Sequence, residues 1–204
     1  MKRRDVLRTG AAAAALGVFG GPAFGQTRTV LKASDVHPLG YPTVEAVERL
    51  GKKLDAQTNG RYSVQMFPSM QLGGEKEALE QAQVGALAFA RVSVGVVGPL
   101  VDDLNVFNMP FVFRDVKHMR ATIDGPIGAE LLGKITNNPQ SRLIGLCWMD
   151  GGARSVYNKV RPIRSPDDLK GLKIRMMGNP LFVDTMNAMG GNGISMGKIG
   201  RAHV

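Results

Sequence analysis

The order of strand and helix patterns constrains the fold of this chain more than any other feature of its sequence. Period-2 alternation predicts strands over residues 29–34, 61–67 and 86–94. Apolar residues at helical spacing predict helices that begin at Thr43 and Glu75 and lie between these strands. Strands that alternate with helices are typical of a mainly parallel α/β sheet with helices on its faces.

The same alternation continues through the middle of the chain. Helices are predicted over residues 115–123 and 126–136, and a strand over residues 142–148 follows them. This strand is an almost unbroken apolar run, which predicts that it is covered on both faces. Cys147 lies within it and is therefore expected to be a buried, inert thiol.

A glycine pair marks a predicted crossing between two domains. The sequence MDGG at residues 149–152 follows the apolar strand and is expected to turn into another short strand. The predicted domains are residues 26–148 and residues 149–197. Trp148 and Phe111 are expected to pack in the hinge and the core rather than to stack on a ligand.

The second predicted domain contains a cationic residue in the middle of a strand. Ser165, Pro166 and Asp168 form a capping-box-like start, and the alternating strand GLKIRMM follows, before a helix over residues 180–189. Arg175 lies in that strand. Its guanidinium either points to a wet face of the sheet or holds an anion, and strand geometry alone favours the wet face.

The two ends of the chain differ in composition from the rest of the sequence. Residues 1–25 combine a basic start, which includes Arg3-Arg4, with an apolar run and a small-residue cleavage site. This predicts a cleavable export signal that resembles a twin-arginine signal; the alternative is an N-terminal anchor or buried helix. Residues 198–204 can be encoded by a nucleotide sequence that resembles the start of a common DNA sequencing adapter. They are therefore expected to be a non-native tail, the alternative being a natural basic tail.

Charge and motif content limit the classes of function. The 204-residue chain has a formal net charge of +9, and without residues 1–25 the remaining 22 basic and 16 acidic residues give +6. The basic residues are scattered and not interleaved with aromatics, which argues against a nucleic-acid partner and fits a small anionic one. His37, His118 and His203 are isolated, so no metal is expected, and no cofactor or catalytic motif is present in the sequence.

Three segments in this order resemble one family. They are PSMQLGGEKEALEQAQVGAL, LNVFNMPFVFRDVKHM and DGGARSVYNKVRPIRSPDDLKGLKIRMMGNP. They resemble the solute-binding proteins of TRAP transporters, the DctP-like group. The resemblance implies an α/β, two-domain periplasmic-binding-protein-like fold with a ligand cleft between the domains, here incomplete at the C-terminus. It also implies capture of an organic acid, such as a sugar acid, in the periplasm and delivery to the TRAP membrane permease subunits, without catalysis. The alternative is an exported enzyme that acts on a small organic acid.

The resemblance assigns roles to three residues of the second domain. Arg175 matches the arginine that clamps the ligand carboxylate with a planar guanidinium fork. Arg154 matches a second arginine, with a rim or interdomain salt bridge as the alternative. Asn179 matches a ligand-contacting asparagine, although Asn-Pro is also typical of a turn.

Four further candidates for ligand binding carry open alternatives. His37 lies in the loop after the first strand and is either ligand-facing or solvated. Glu75 either accepts hydrogen bonds from ligand hydroxyls or is a first-turn helix acid. Arg91 either adds positive potential to the cleft or lies on a wet strand face. Asp150 either contacts a ligand hydroxyl or caps the turn at the crossing.

Overall fold

A three-stranded parallel sheet forms the centre of the first lobe. The computed structural model describes residues 27–197. Strands β1 (Thr29–Ser34), β2 (Tyr62–Phe67) and β3 (Phe89–Ala90) lie in the order β2-β1-β3. Both pairings are parallel, with Thr29 opposite Tyr62 at one end of the first pair. The predicted parallel sheet is therefore present, and β1 has the predicted bounds.

Two helices cover this sheet between its strands. Helix α1 (Pro42–Gln57) has proline in its first turn, and Val44 and Val47 are buried beneath it. Gly51 lets α1 approach β2, since a Cβ at this position would lie 2.9 Å from the Cβ of Val64. Helix α2 (Glu75–Gln83) begins with acids that suit the positive end of the helix dipole.

The first lobe continues through shorter elements that enclose an apolar core. They are α3 (Val94–Val97), a 3-10 helix (Asp102–Asn108), α4 (Val116–Ile123) and α5 (Pro126–Asn137). The Asp115 side chain caps α4 by accepting a hydrogen bond of 2.7 Å from the backbone N–H of His118, as predicted. The buried members of the core are Leu79, Val97, Val101, Leu104, Leu131 and Ile135.

The second lobe has its own sheet and its own core. A 3-10 helix (Pro166–Leu169) leads into β4 (Lys173–Met176), α6 (Pro180–Ala188) and β5 (Asn192–Ser195). The two strands are parallel, and Arg175 lies opposite Ile194. The core consists of Leu169, Leu172, Ile174 and Met186. The alternation around Arg175 therefore produced the expected strand, with Leu172 and Ile174 buried and Arg175 exposed.

The strand predicted over residues 142–148 is wrong. The segment forms no strand and exposes Ile144 and Leu146 by 72% and 64%. Cys147 is exposed as well, so the expectation of a buried thiol is also wrong. The backbone N–H of Gly145 donates to the Thr136 hydroxyl instead of to a neighbouring strand. An apolar run becomes a strand only where a second backbone completes its hydrogen-bond ladder, and no described residue does so here.

Other expectations for loops also need correction. The short strand expected after MDGG does not form, and the strand predicted over residues 86–94 is limited to Phe89–Ala90. Phe111 is 99% exposed at a backbone φ of +61°, so its expected packing is wrong because this turn directs it outward. Phe107 packs against Trp148 instead, with ring centroids 5.3 Å apart. The expected packing of Trp148 is confirmed, since it lies against the first core.

Some predictions concern parts of the chain that the structure does not test. The export signal at residues 1–25 and the tail at residues 198–204 lie outside the described residues. Between residues 27 and 197, no helix has the length and apolar character needed to cross a membrane. The predicted domain bounds of 26–148 and 149–197 stay predictions.

Candidate functional site

A buried carboxylate organises the loop at the carboxyl end of β1. Asp35 directly follows β1 and is 1% exposed. One of its oxygens, Oδ1, accepts the backbone N–H of His37 at 3.0 Å and lies 2.7 Å from Nδ1 of the His37 ring. The other, Oδ2, accepts the hydroxyl of Thr43 at 2.6 Å. Asp35 therefore fixes both the backbone and the ring of His37. Our sequence reasoning missed Asp35; the available signal was an acid at the carboxyl end of a parallel strand, where α/β folds bind ligands.

The His37 ring connects this loop to the crossing between the lobes. It stacks on the Tyr41 ring at a centroid distance of 3.9 Å and an interplanar angle of 8°. The Tyr41 hydroxyl in turn lies 3.5 Å from the carbonyl oxygen of Gly151. His37 thus lies in the loop where the sequence predicted it, with its ring held from two sides.

A nearly buried ion pair lies at the start of α2. The Glu75 oxygen Oε1 accepts hydrogen bonds from Nη1 of Arg91 at 2.9 Å, and from the backbone N–H and the hydroxyl of Ser93 at 3.2 and 2.7 Å. The Glu75 and Arg91 side chains are 12% and 14% exposed, so Arg91 does not lie on a wet strand face. All three bonds fall on Oε1. Oε2 has no hydrogen-bond partner among the described residues.

Arg154 is the electrostatic centre of the candidate site. Loss of hydration lowers the pKa of its guanidinium; Glu75 opposes this shift, while Arg175 and Arg91 add to it. The residue as a whole is exposed, so this loss of hydration comes from side-chain neighbours that flank it rather than from full enclosure. Its guanidinium carbon lies 5.4 Å from the Phe182 ring centroid. Because arginine stays protonated in proteins, the structure brings three cations and one carboxylate within electrostatic reach of each other.

Arg175 is held by backbone contacts along one edge of its guanidinium. Its Nε donates to the carbonyl oxygen of Met196 at 2.8 Å, with that of Gly197 at 3.3 Å. These contacts fix the plane of the fork. The two terminal nitrogens bind no described residue, and neither Arg175 nor Arg154 forms an ion pair within residues 27–197.

Asn179 and Asp150 have different surroundings from the arginines. Asn179 is 2% exposed, and its amide accepts from the backbone N–H of Leu181 at 3.0 Å while donating to Gly95 and Asn105 of the first lobe. Asp150 accepts from the backbone N–H of Gly152 at 2.8 Å and from Arg120 at 3.2 Å, and these bonds lower its pKa. Asp150 therefore caps the turn, and Asn179 begins α6 while it bridges the two lobes.

Arg154 and Arg175 do not line either of two depressions of the surface. One depression of about 640 Å³ lies beside Asn179 and is bordered by Asp102, Asp103 and Asp184. Another of about 480 Å³ lies along residues 156–163. Neither contains a predicted cationic site residue. Within residues 27–197, no group of histidine, cysteine or acidic side chains is arranged to hold a metal ion.

Residues 33–198 match the model of the family described as bacterial extracellular solute-binding protein, family 7 (DctP). The chain belongs to this family. A curated solute-binding protein of Chromohalobacter salexigens is 38% identical over 79% of this chain and 47% of its own length. The chain thus spans about half the length of the curated relatives it matches.

Solved structures agree with the sequence match. A TRAP periplasmic solute-binding protein of Pseudomonas putida F1, with bound D-glucuronate, is 58% identical and superposes with a TM-score of 0.80, over 83% of this chain and 55% of that one. A Citrobacter koseri TRAP protein with bound D-glucuronate is 48% identical and superposes with a TM-score of 0.81, over 83% of this chain and 56% of that one. The open apo structure of the C. koseri protein superposes with a TM-score of 0.68, at 44% identity, over 81% of this chain and 54% of that one. The expected α/β periplasmic-binding-protein fold is confirmed, and the chain superposes better on the ligand-bound C. koseri structure than on the open one.

Proposed function

We propose that this family member binds a sugar acid, a uronate such as glucuronate, in the periplasm and delivers it to a TRAP permease. The observation that carries the proposal is the pair Arg154 and Arg175, two cations that act on each other and form no ion pair within residues 27–197. Together with Arg91 they outnumber the one nearby carboxylate, Glu75, and a bound carboxylate reduces the repulsion that remains.

Arg175 is the proposed carboxylate clamp. The contacts of its Nε with the β5 end hold the guanidinium plane and leave both terminal nitrogens for the ligand. Two parallel N–H···O bonds from such a fork match a carboxylate in geometry as well as charge. Arg154, whose guanidinium lies over the Phe182 ring, supplies the second positive charge.

Glu75 favours a hydroxylated monoacid over a dicarboxylate. Its Oε1 is saturated by Arg91 and Ser93, and Oε2 is the acceptor that we assign to a ligand hydroxyl. A second carboxylate near Glu75 would meet a like charge, whereas a hydroxyl donates a hydrogen bond. His37, held by Asp35, is the second proposed hydroxyl partner. The glucuronate of the P. putida relative has both required features, one carboxylate and several hydroxyls.

The other predicted site residues act indirectly in this proposal. Arg91 neutralises the charge of Glu75 and orients its carboxylate through the 2.9 Å ion pair between them. Asp150 orders the turn that leads to Arg154 through its bond to Gly152. The periplasmic location and the permease partner are supported by the export-signal pattern of residues 1–25 and by the TRAP relatives.

Calorimetric titration of the mature product of the complete gene tests the proposal. We expect D-glucuronate to bind, D-glucose to bind at least 100-fold more weakly because it lacks the carboxylate, and succinate to bind more weakly than glucuronate. Arg175→Ala should weaken glucuronate binding by about 2–3 kcal/mol, since a hydrogen-bonded charge pair is lost. Arg175→Lys should also weaken it, because lysine cannot form the fork.

Arg49→Ala is the matched control. Arg49 is an exposed arginine on α1 that pairs with Glu45 of the same helix, so its loss should leave glucuronate affinity unchanged. Glu75→Gln should narrow the preference for glucuronate over succinate. Equal affinity for glucose and glucuronate, or full affinity in Arg175→Ala, would refute the proposed site.

A further inference from the structure

The two lobes meet at a contact that depends on two glycines. We call this contact the seam and define it by Gly95, Gly98, Asn105, Asn179 and Phe182. A Cβ on Gly95 would lie 2.5 Å from the Phe182 ring, and a Cβ on Gly98 would lie 2.8 Å from the Asn179 amide nitrogen. A side chain at Gly95 would collide with the second lobe, and one at Gly98 would collide with the side chains of Asn105 and Asn179.

Asn179 connects the lobes across this seam. Its Nδ2 donates to the carbonyl oxygen of Gly95 at 3.0 Å and to Oδ1 of Asn105 at 2.8 Å. Its Oδ1 accepts the backbone N–H of Leu181 at 3.0 Å, which caps α6. Both donors and the carbonyl of this buried amide are thus bound to protein, so the side chain has no donor left for a ligand.

The seam is connected to the proposed ligand clamp through β4 and Phe182. Asn179 follows Arg175 by four residues, across the end of β4. Phe182, which packs on Gly95, supports the Arg154 guanidinium on its ring. The spacing of the lobes at the seam therefore sets how close both arginines come to Glu75, which belongs to the first lobe.

We propose that Asn179 is a positioning residue that sets the affinity for the acid by holding the lobes at their ligand-binding spacing, without touching the ligand. The part that concerns affinity rests on the proposed function, while the part that concerns lobe spacing does not. The chain resembles the glucuronate-bound C. koseri protein more closely than its open form, with TM-scores of 0.81 and 0.68.

Asn179→Asp distinguishes the hydrogen bonds that Asn179 donates across the seam from its role as N-cap of α6. Aspartate caps a helix as well as asparagine does, so α6 keeps its N-cap. The amide donor is lost, and a carboxylate faces the Gly95 carbonyl oxygen instead. Because both oxygens of the carboxylate are acceptors, rotating the side chain does not restore a donor. Asn192→Asp, an exposed position on β5, is the control with the same change of charge. Asn105→Ala removes the acceptor of one of the two hydrogen bonds across the seam without altering Asn179.

Two measurements on the mature product of the complete gene test the proposal. The first is the distance between spin labels on exposed sites of the two lobes, Lys53→Cys and Ala188→Cys, in a Cys147→Ser background. The second is calorimetric affinity for glucuronate and galacturonate. Asn179→Asp and Asn105→Ala should lengthen the label distance and weaken both ligands by about tenfold or more, with their affinity ratio unchanged. Asn192→Asp should change neither quantity.

Each alternative outcome has a definite meaning. Unchanged label distances in both seam variants would overturn the proposal. A changed ratio of glucuronate to galacturonate affinity would also overturn it, because it would identify Asn179 as a ligand contact. If the unmutated protein bound no acid, the proposed function would fail, and the label distances would still decide whether Asn179 holds the lobes together. If Asn179→Asp did not fold, Asn105→Ala would give the same test.

Discussion

Adding one methyl group at Gly95 should destabilise this protein, although alanine is the better helix former. Gly95 lies in α3 and is buried against the second lobe. An alanine Cβ there would lie 2.5 Å from Cε2 of Phe182 and 2.9 Å from Cε of Met177. Carbon atoms in contact prefer about 3.5–4.0 Å, so two neighbours would have to move. The Met177 side chain can bend, but the Phe182 ring lies under the Arg154 guanidinium.

The expected magnitude follows from two opposing effects. Overpacking of a well-filled site costs about 1–3 kcal/mol, and two contacts this short place Gly95→Ala near the upper end of that range. Replacing glycine by alanine in a helix stabilises the helix by about 1 kcal/mol. The free energy of unfolding should therefore fall by about 1–2 kcal/mol. Separation of the lobes to relieve the clash should also weaken binding of glucuronate.

Gly133→Ala provides the matched control for this substitution. Gly133 lies within α5, and a Cβ there would meet only the Asn137 side chain at 3.9 Å. This variant should gain about 0.5–1 kcal/mol from helix propensity alone. Urea denaturation followed by circular dichroism measures the free energy of unfolding of both variants. The m value, which is the slope of this free energy against urea concentration, should be the same in both if the surface exposed on unfolding is unchanged. A Gly95→Ala protein as stable as Gly133→Ala would refute the packing argument.

Three further predictions concern the carboxylates and the cations. Asp35→Ala should lower the free energy of unfolding by about 2–4 kcal/mol in urea denaturation, because it leaves the buried Thr43 hydroxyl and the His37 backbone without their acceptor; a loss below 1 kcal/mol would contradict this. Asp150 has a lowered pKa, so its contribution is present above its unfolded pKa and is lost as pH falls through the lower folded one. The melting temperature should thus fall less steeply below about pH 4 in Asp150→Asn than in the unmutated protein; parallel curves would argue against the role of Asp150. Glucuronate affinity should decrease between low and high ionic strength, since an open cationic site is screened by salt, and a salt-independent affinity would contradict an accessible clamp.

Local patterns were sufficient where the segments that complete an element also form. The bounds of β1, the capping of α4 by Asp115 and the strand that holds Arg175 all follow from short-range rules. The failure at residues 142–148 has the opposite cause. Apolar character is local, but a strand needs the backbone of a second segment, and that partner is not encoded in the seven residues themselves.

The candidate site shows the same limit. Arg175 and Arg154 were identified through a family resemblance, and the structure brings them into one electrostatic group. Asp35 was missed because its role depends on a loop that folds back to bring Thr43 and His37 to one carboxylate. The contact of Asn179 with Gly95 joins residues 84 positions apart, and no spacing rule in the sequence anticipates it.

The seam and the arginines exert opposite effects on the spacing of the lobes. The bonds of Asn179 and the close packing at Gly95 favour a short spacing. Arg91 of the first lobe opposes it, because a shorter spacing brings its positive charge nearer to Arg154 of the second lobe, where Arg175 adds a further positive charge. An acid that binds Arg154 and Arg175 reduces this repulsion, so its differential affinity for the two spacings shifts the population towards the closer one. A much stronger seam would close the lobes without ligand, and a weaker one would leave the acid to supply all of the closing free energy. The balance between Asn179 and the three arginines is therefore what would make the spacing of the lobes depend on the ligand.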